Sequence, residues 1–132
     1  MHWADALAVK LAHRGSKHVI AAGITPSGVF QIGHLREVLT GEMVHRACLR
    51  ADLDSEFVFV VDSADPLRKV YDFLDPAYEQ WVGHQLAEIP APDAEGRPGD
   101  GSTSYSDHFL EPFLAALHQI GVRPRIIDNH AS

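Results

Sequence analysis

Over His2 to Arg14 the apolar residues Trp3, Ala6, Leu7 and Leu11 recur at the three-to-four spacing of a helix face, and Gly15 supplies a stop. Val19 to Ile24 is a short apolar run that reads as a buried parallel strand. From Ile32 to Leu49 the period lengthens again, and Leu35, Val38, Leu39, Met43 and Ala47 form one core-facing helical stripe. Glu56 to Asp62, with Phe57-Val58-Phe59-Val60-Val61 at its centre, is the clearest strand in the chain. Because it is apolar on both faces, it suits the middle of a parallel sheet covered by helices.

Downstream the pattern is less regular. Asp65-Pro66 predicts a turn and a short helix, and Asp75-Pro76 a second one running to Trp81. Ile89 to Thr103 holds Pro90, Pro92, Gly96, Pro98, Gly99 and Gly101, which predicts a flexible, irregular surface loop over 89–103. Tyr105 to Ile120 returns to helical periodicity through Phe109, Phe113, Leu114 and Leu117, with Pro112 as a bend. Val122 to Asp128 reads as a third strand whose start is weakened by Arg123 and Pro124. Strands alternating with helices predict an α/β fold with right-handed crossovers, a Rossmann-like parallel sheet in three layers, here incomplete.

Chemistry concentrates where the first strand gives way to the long helix. Gly23-Ile24-Thr25-Pro26-Ser27-Gly28 is followed by Gln31-Ile32-Gly33-His34-Leu35-Arg36-Glu37. A glycine-rich turn at this place sets backbone N–H groups and the positive end of a helix dipole where a phosphate could sit. Thr25 and Ser27 add hydroxyl donors, His34 adds a ring donor, and Gly33 removes a Cβ from the path of a ribose or base. The glycines serve equally well to make a tight turn, so both readings stand on the residues alone. Asp62 and Asp65 follow the central strand at its carboxyl end, where open α/β sheets place their ligands. They could attract an ammonium group; Asp65 could instead cap a helix begun by Pro66. Arg68 and Lys69 could neutralise phosphate or remain solvated helix charges.

These segments resemble the archaeal-type class I lysyl-tRNA synthetases. The likeness is carried by His2-Trp3-Ala4-Asp5, by Gly23 to Gly28 and by Leu35-Arg36-Glu37-Val38-Leu39. It continues through Asp65-Pro66-Leu67-Arg68-Lys69-Val70-Tyr71, Glu88-Ile89-Pro90, Ser104-Tyr105 and His108-Phe109-Leu110-Glu111-Pro112-Phe113. Tryptophanyl- and tyrosyl-type enzymes use similar Pro-Ser-Gly turns, but Leu67 to Tyr71 and Phe109 to Pro112 favour lysine. The resemblance implies that residues 1–132 form the N-terminal part of a HUP-type class I catalytic domain. It also implies that the second catalytic half, with its Lys-Met-Ser-Lys-Ser loop, and the anticodon-binding domain lie outside this stretch.

The activity implied is ATP-dependent activation of lysine and its transfer to tRNA, with Mg2+ as the nucleotide's companion. ATP would meet Gly23, Thr25, Pro26, Ser27, Gly28, Gln31, Gly33 and His34; lysine would meet Thr25, Asp62 and Asp65. Gln31 and His34 take the catalytic places of the family's His-x-Gly-His element, with Gln31 replacing its first His by a group that cannot carry charge. Val29 likewise stands where a polar residue is usual. The family's zinc site draws Asp, Cys and His ligands from between the Ile-Pro and Tyr-x-x-His segments. Here Ala91 replaces the Asp, the intervening loop holds no Cys or His, and only His108 matches, so no zinc is expected. The reading is therefore a ligase fragment, inactive alone and completed by a second-half chain. A non-catalytic ATP-binding relic or accessory module is the alternative.

Composition narrows this further. Eleven Lys and Arg against eighteen Asp and Glu give a net charge of -7, the wrong sign for a main tRNA-docking surface. The single cysteine, Cys48, excludes a disulfide framework and reads as a buried small apolar residue. No stretch reaches the roughly 20 apolar residues of a membrane span, which points to a cytoplasmic protein.

Overall fold

The computed structural model describes residues 2–30 and 32–130. Helix α1 (Trp3–Ala12) starts at His2, whose Nδ1 accepts the Ala4 amide at 3.2 Å, and leads into strand β1 (Lys17–Ile24). Helix α2 (Ile32–Arg50), strand β2 (Asp54–Val61), helix α3 (Tyr105–Gln119) and strand β3 (Arg125–Asp128) follow. All three strands are parallel in the order β1-β2-β3, with Ala22 level with Phe59 and Phe59 level with Ile126.

This is the Rossmann-like α/β arrangement that the alternation of elements predicts. Two successive right-handed crossovers in one direction put both crossing helices on one face of the sheet. Phe57, Phe59 and Val61 of β2 accordingly share one core with Val38 of α2 and with Leu110, Phe113 and Leu117 of α3. The described residues thus supply two of the three layers. One expectation is corrected as a result: β1 is not buried on both faces. Ala22 is buried and Ile20 and Ile24 pack toward the helices, but Val19, on the opposite face, is 59% exposed.

Helix α1 forms where its period predicts but buries a different face. Trp3 and Leu7 are 47% and 37% exposed, while Ala4 and Ala8 are buried against Val44, Ala47 and Cys48 of α2. Small side chains on both helices allow a close approach that a Trp–Leu stripe would prevent. Met43 also leaves its expected core stripe, because α2 divides its apolar surface between the sheet (Leu35, Val38, Leu39) and α1. Cys48 is buried, and desolvation pushes its thiol pKa up.

No helix follows Asp65-Pro66: Pro66 instead forms an antiparallel bridge with Gln85. Asp75 does cap the next turn, a 3-10 helix over Pro76–Trp81, by accepting the Ala77 amide at 2.9 Å. Pro112 sits inside α3 on its exposed side without ending it. Strand β3 is shorter than its apolar run because Pro124 has no N–H for the ladder; Pro124 is buried, and Val122 before it belongs to the core. A second core of Leu67, Leu74, Tyr78, Leu86, Ile89, Tyr105 and Phe109 underlies the irregular segment between β2 and α3. Among the described residues no helix is long and apolar enough to cross a membrane.

Candidate active site

Parallel strands expose the ends of their ladders at the carboxyl edge of the sheet, and there β1 turns into α2. Two clefts open at this corner. The first, about 560 Å³, is lined by Gly23, Ile24, Thr25, Ser27, His34, Val60 and Asp62. The second, about 310 Å³, is lined by Thr25, Ser27, Gly28, Val29, Phe30, His34, Tyr71 and Phe73. Thr25, Ser27 and His34 belong to both, so the loop after β1 is their shared wall.

The glycines divide by physical role. A Cβ at Gly28 would stand 3.2 Å from the Phe73 ring, so this glycine serves packing. A Cβ at Gly23 would meet the Val60 carbonyl at an ordinary 3.5 Å, and at Gly33 it would meet nothing within 4 Å. Packing within the described residues therefore requires neither, and both leave surface open to an incoming group. Pro26 is buried and, like Gly33, lines neither cleft.

Not every amide of the turn is available to an anion. The Ser27 amide donates to the Thr25 carbonyl at 2.9 Å, and the Gly23 amide reaches the Glu37 carboxylate at 3.5 Å. The first turn of α2 holds no acidic residue, and Glu37, one turn further on, is turned toward the Gly23 amide. His34 is half-buried in the first turn of α2, with its ring edge-on to Phe30 at 5.3 Å. Gln31, the other expected catalytic residue, lies outside the described residues.

Asp62 and Asp65 part company. Asp62 lines the first cleft, is fixed at its backbone by donation to the Ile24 carbonyl at 2.8 Å, and accepts a hydrogen bond from the Asn129 side chain. Asp65 lines neither cleft, pairs with Arg68 at 3.2 Å and caps no helix. Lys69 lies over the Tyr71 ring at 5.4 Å, beside the second cleft.

Several residues of this corner were not among the expected site residues, although Tyr71 and Tyr105 lie in segments that carry the family likeness. Asn129 donates to Asp62 while its Oδ1 accepts the Ala64 amide at 3.1 Å, joining the ends of β2 and β3. Tyr105 is buried at the start of α3 and donates from Oη to the Ser27 carbonyl at 2.5 Å. Burial, and then the neighbouring Tyr71 and Tyr78, hold its pKa well above the usual phenol range, so it stays a donor. Tyr71 and Phe73 stack at 5.7 Å with their rings 4° apart and form the aromatic wall of the second cleft. Only tertiary packing brings these residues to the loop.

The zinc set implied by the family likeness does not fit. Ala91 has no donor, the turn after it holds no thiol or imidazole, and His108 packs edge-on against Phe109 at 4.8 Å. Among the described residues no three His, Cys, Asp or Glu side chains are grouped to hold a metal ion.

A family model described as tRNA synthetases class I (K) matches residues 1–132. Lysine–tRNA ligase 1 of Methanosarcina acetivorans is 40% identical over 127 residues, which cover 96% of this chain and 23% of that protein. The lysine–tRNA ligase of Picrophilus torridus is 43% identical over 129 residues, 98% of this chain and 24% of its own length. That of Methanocaldococcus jannaschii is 40% identical over 124 residues, 92% and 22% respectively. The chain thus spans less than a quarter of the curated relatives it matches.

Proposed function

This chain belongs to the class I tRNA synthetases of the K type, and from that premise we propose that it is the N-terminal part of the catalytic domain of a lysine–tRNA ligase. The observation that carries the proposal is the pair of clefts sharing Thr25, Ser27 and His34 at the carboxyl edge of the sheet. In the reaction a lysine carboxylate oxygen bonds to the α-phosphorus of ATP and pyrophosphate leaves. The lysyl group then passes to a ribose hydroxyl of tRNA.

Negative charge grows on the phosphate oxygens, so donors already in place lower the barrier most. Thr25 and Ser27 hydroxyls, the start of α2 and His34 supply those donors. Gly23 and Gly33 leave room for the nucleotide, and Mg2+ accompanies its phosphates. Asp62, held by Asn129, receives the ammonium of lysine; Asp65 is already committed to Arg68. The remaining positive charge, most of the tRNA contact and full activity come from a further segment or a complementing chain, in the cytoplasm.

A second reading, a nucleotide-binding relic or accessory module, is favoured by one fact: neither cleft is lined by Lys or Arg. Lysine-dependent exchange of pyrophosphate into ATP separates the two. It is measured with this chain alone and then with the product of any adjoining reading frame. Exchange in the combined sample alone is the expected result. Exchange in neither sample, together with calorimetric ATP binding abolished by His34→Ala, would establish the relic. ATP binding in neither sample would remove both readings.

A further inference from the structure

The segment between Ile89 and Tyr105 contains no named strand, yet it runs out and back as a hairpin. Pro90 bridges to Ser104 and Pro92 to Pro98, both antiparallel. The Ala91 amide donates to Thr103 at 3.0 Å, and the Gly99 amide to Ala91 at 2.9 Å. At the tip the Asp93 carboxylate accepts the amides of Glu95 and Arg97 at 2.9 and 3.0 Å. The backbone of Asp93 closes the same turn, donating to Arg97 at 2.8 Å and accepting from Gly96 at 3.0 Å.

That tip grips a distant piece of chain. Gly96 is buried at φ +80°, and a Cβ there would stand 2.4 Å from the Phe73 carbonyl oxygen. Its own carbonyl accepts the Asp75 amide at 2.9 Å. Behind the tip, Tyr78 Oη donates to the Pro90 carbonyl at 2.8 Å. Phe73, two residues before Asp75, stacks on Tyr71 and meets Phe109 edge-on at 5.7 Å.

We propose that this hairpin is a metal-independent brace: Gly96 locks onto Phe73–Asp75 and thereby sets the Tyr71–Phe73 wall of the second cleft. Gly96 is a positioning residue for that wall. The likeness to class I lysyl synthetases implies a zinc ion in this part of the chain. Here its structural task falls to backbone hydrogen bonds and a glycine contact, and the Asp93 carboxylate is already used by two amides. The proposal concerns the shape of the cleft, so it stands or falls independently of what the cleft binds.

The test uses the chain purified from zinc-supplemented cells. Far less than one zinc per chain and a melting temperature unmoved by EDTA are expected. Stoichiometric zinc whose removal lowers the melting temperature would overturn the proposal. Hydrogen exchange followed by NMR then compares Gly96→Ala and Gly96→Asn with the parent. Asn tolerates positive φ but carries a Cβ, so it separates the close contact from mere turn geometry. Both variants are expected to lose protection at the Asp75 amide by about tenfold or more and to shift the Tyr71 and Phe73 ring signals, while β1 and β2 amides keep theirs. Parent-like protection and ring signals in Gly96→Asn would refute the brace. Should neither variant fold, Asp93→Asn, which weakens only the tip, must give the same changes on a smaller scale.

Discussion

Replacing Tyr105 by Phe removes one oxygen atom, and the structure fixes what that atom does. Its hydroxyl donates to the Ser27 carbonyl, tying the first residue of α3 to the loop that both clefts share. A hydrogen bond of this kind contributes about 1 kcal/mol net, and an acceptor left buried without a donor costs about 1–3 kcal/mol. Ser27 is only half-buried, so water can reach part of the abandoned carbonyl. The lower end therefore applies, about 1–2 kcal/mol. With about 2.1 cal/mol/K of unfolding entropy per residue, a chain of this length loses about 4 °C of Tm per kcal/mol, or about 4–7 °C in all. Urea denaturation followed by circular dichroism should show the midpoint falling by about 0.5–1 M at an unchanged slope, for a slope near 2 kcal/mol/M. A midpoint within error of the parent would mean that the tie carries no stability. A changed slope would mean that the substitution acts on the unfolded ensemble instead.

Gly41→Ala tests packing against propensity. Alanine gains about 1 kcal/mol inside a helix, but a Cβ at this position would lie 2.8 Å from the Phe57 ring. Forcing a core ring aside costs about 1–3 kcal/mol, so net destabilisation is expected in the same denaturation assay, and stabilisation would refute the close contact. Alkaline pH tests the buried phenols. Burial, and next the Asp93 carboxylate, push the Tyr78 pKa up to about 12. The folded state thus holds this proton more tightly than the unfolded chain, where tyrosine titrates near 10. Stability is full below about pH 10 and is lost as pH rises toward 12, a decline that Tyr78→Phe should flatten in a Tm series.

The elements were legible where a single period governed them. Phe57 to Val61 could only be a central strand, and the stripes of α2 and α3 named their helices. The buried face of α1 was not legible, because Ala4 and Ala8 become core only once Ala47 and Cys48 stand opposite them. Nor was the outer face of β1 legible, since the same apolar run suits a strand covered on one side or on two. Of the residues that line the first cleft, Gly23, Thr25, Ser27, His34 and Asp62 could be expected at this edge of the sheet from their place at or just past the ends of β1 and β2. Asp65 could not be resolved, because its fate depends on Arg68 and on a bridge between Pro66 and Gln85. Tyr71, Phe73, Tyr105 and Asn129 reach the corner through contacts that no local pattern encodes.

The strand order sets a timetable for assembly. Joining β1 to β2 closes the 29 residues from Thr25 to Leu53, whereas joining β2 to β3 must close the 63 residues from Asp62 to Pro124. The longer closure costs only about 0.7 kcal/mol more in chain entropy, too little to matter by itself. Synthesis at about 5–20 residues per second, however, leaves the outer border of β2 waiting roughly 3–13 s for its neighbour to be made. Through that interval a row of Phe and Val residues with unpaired main-chain groups is on offer to any other nascent chain. The four residues of β3 therefore act as a latch that closes the Val58–Val61 part of that border.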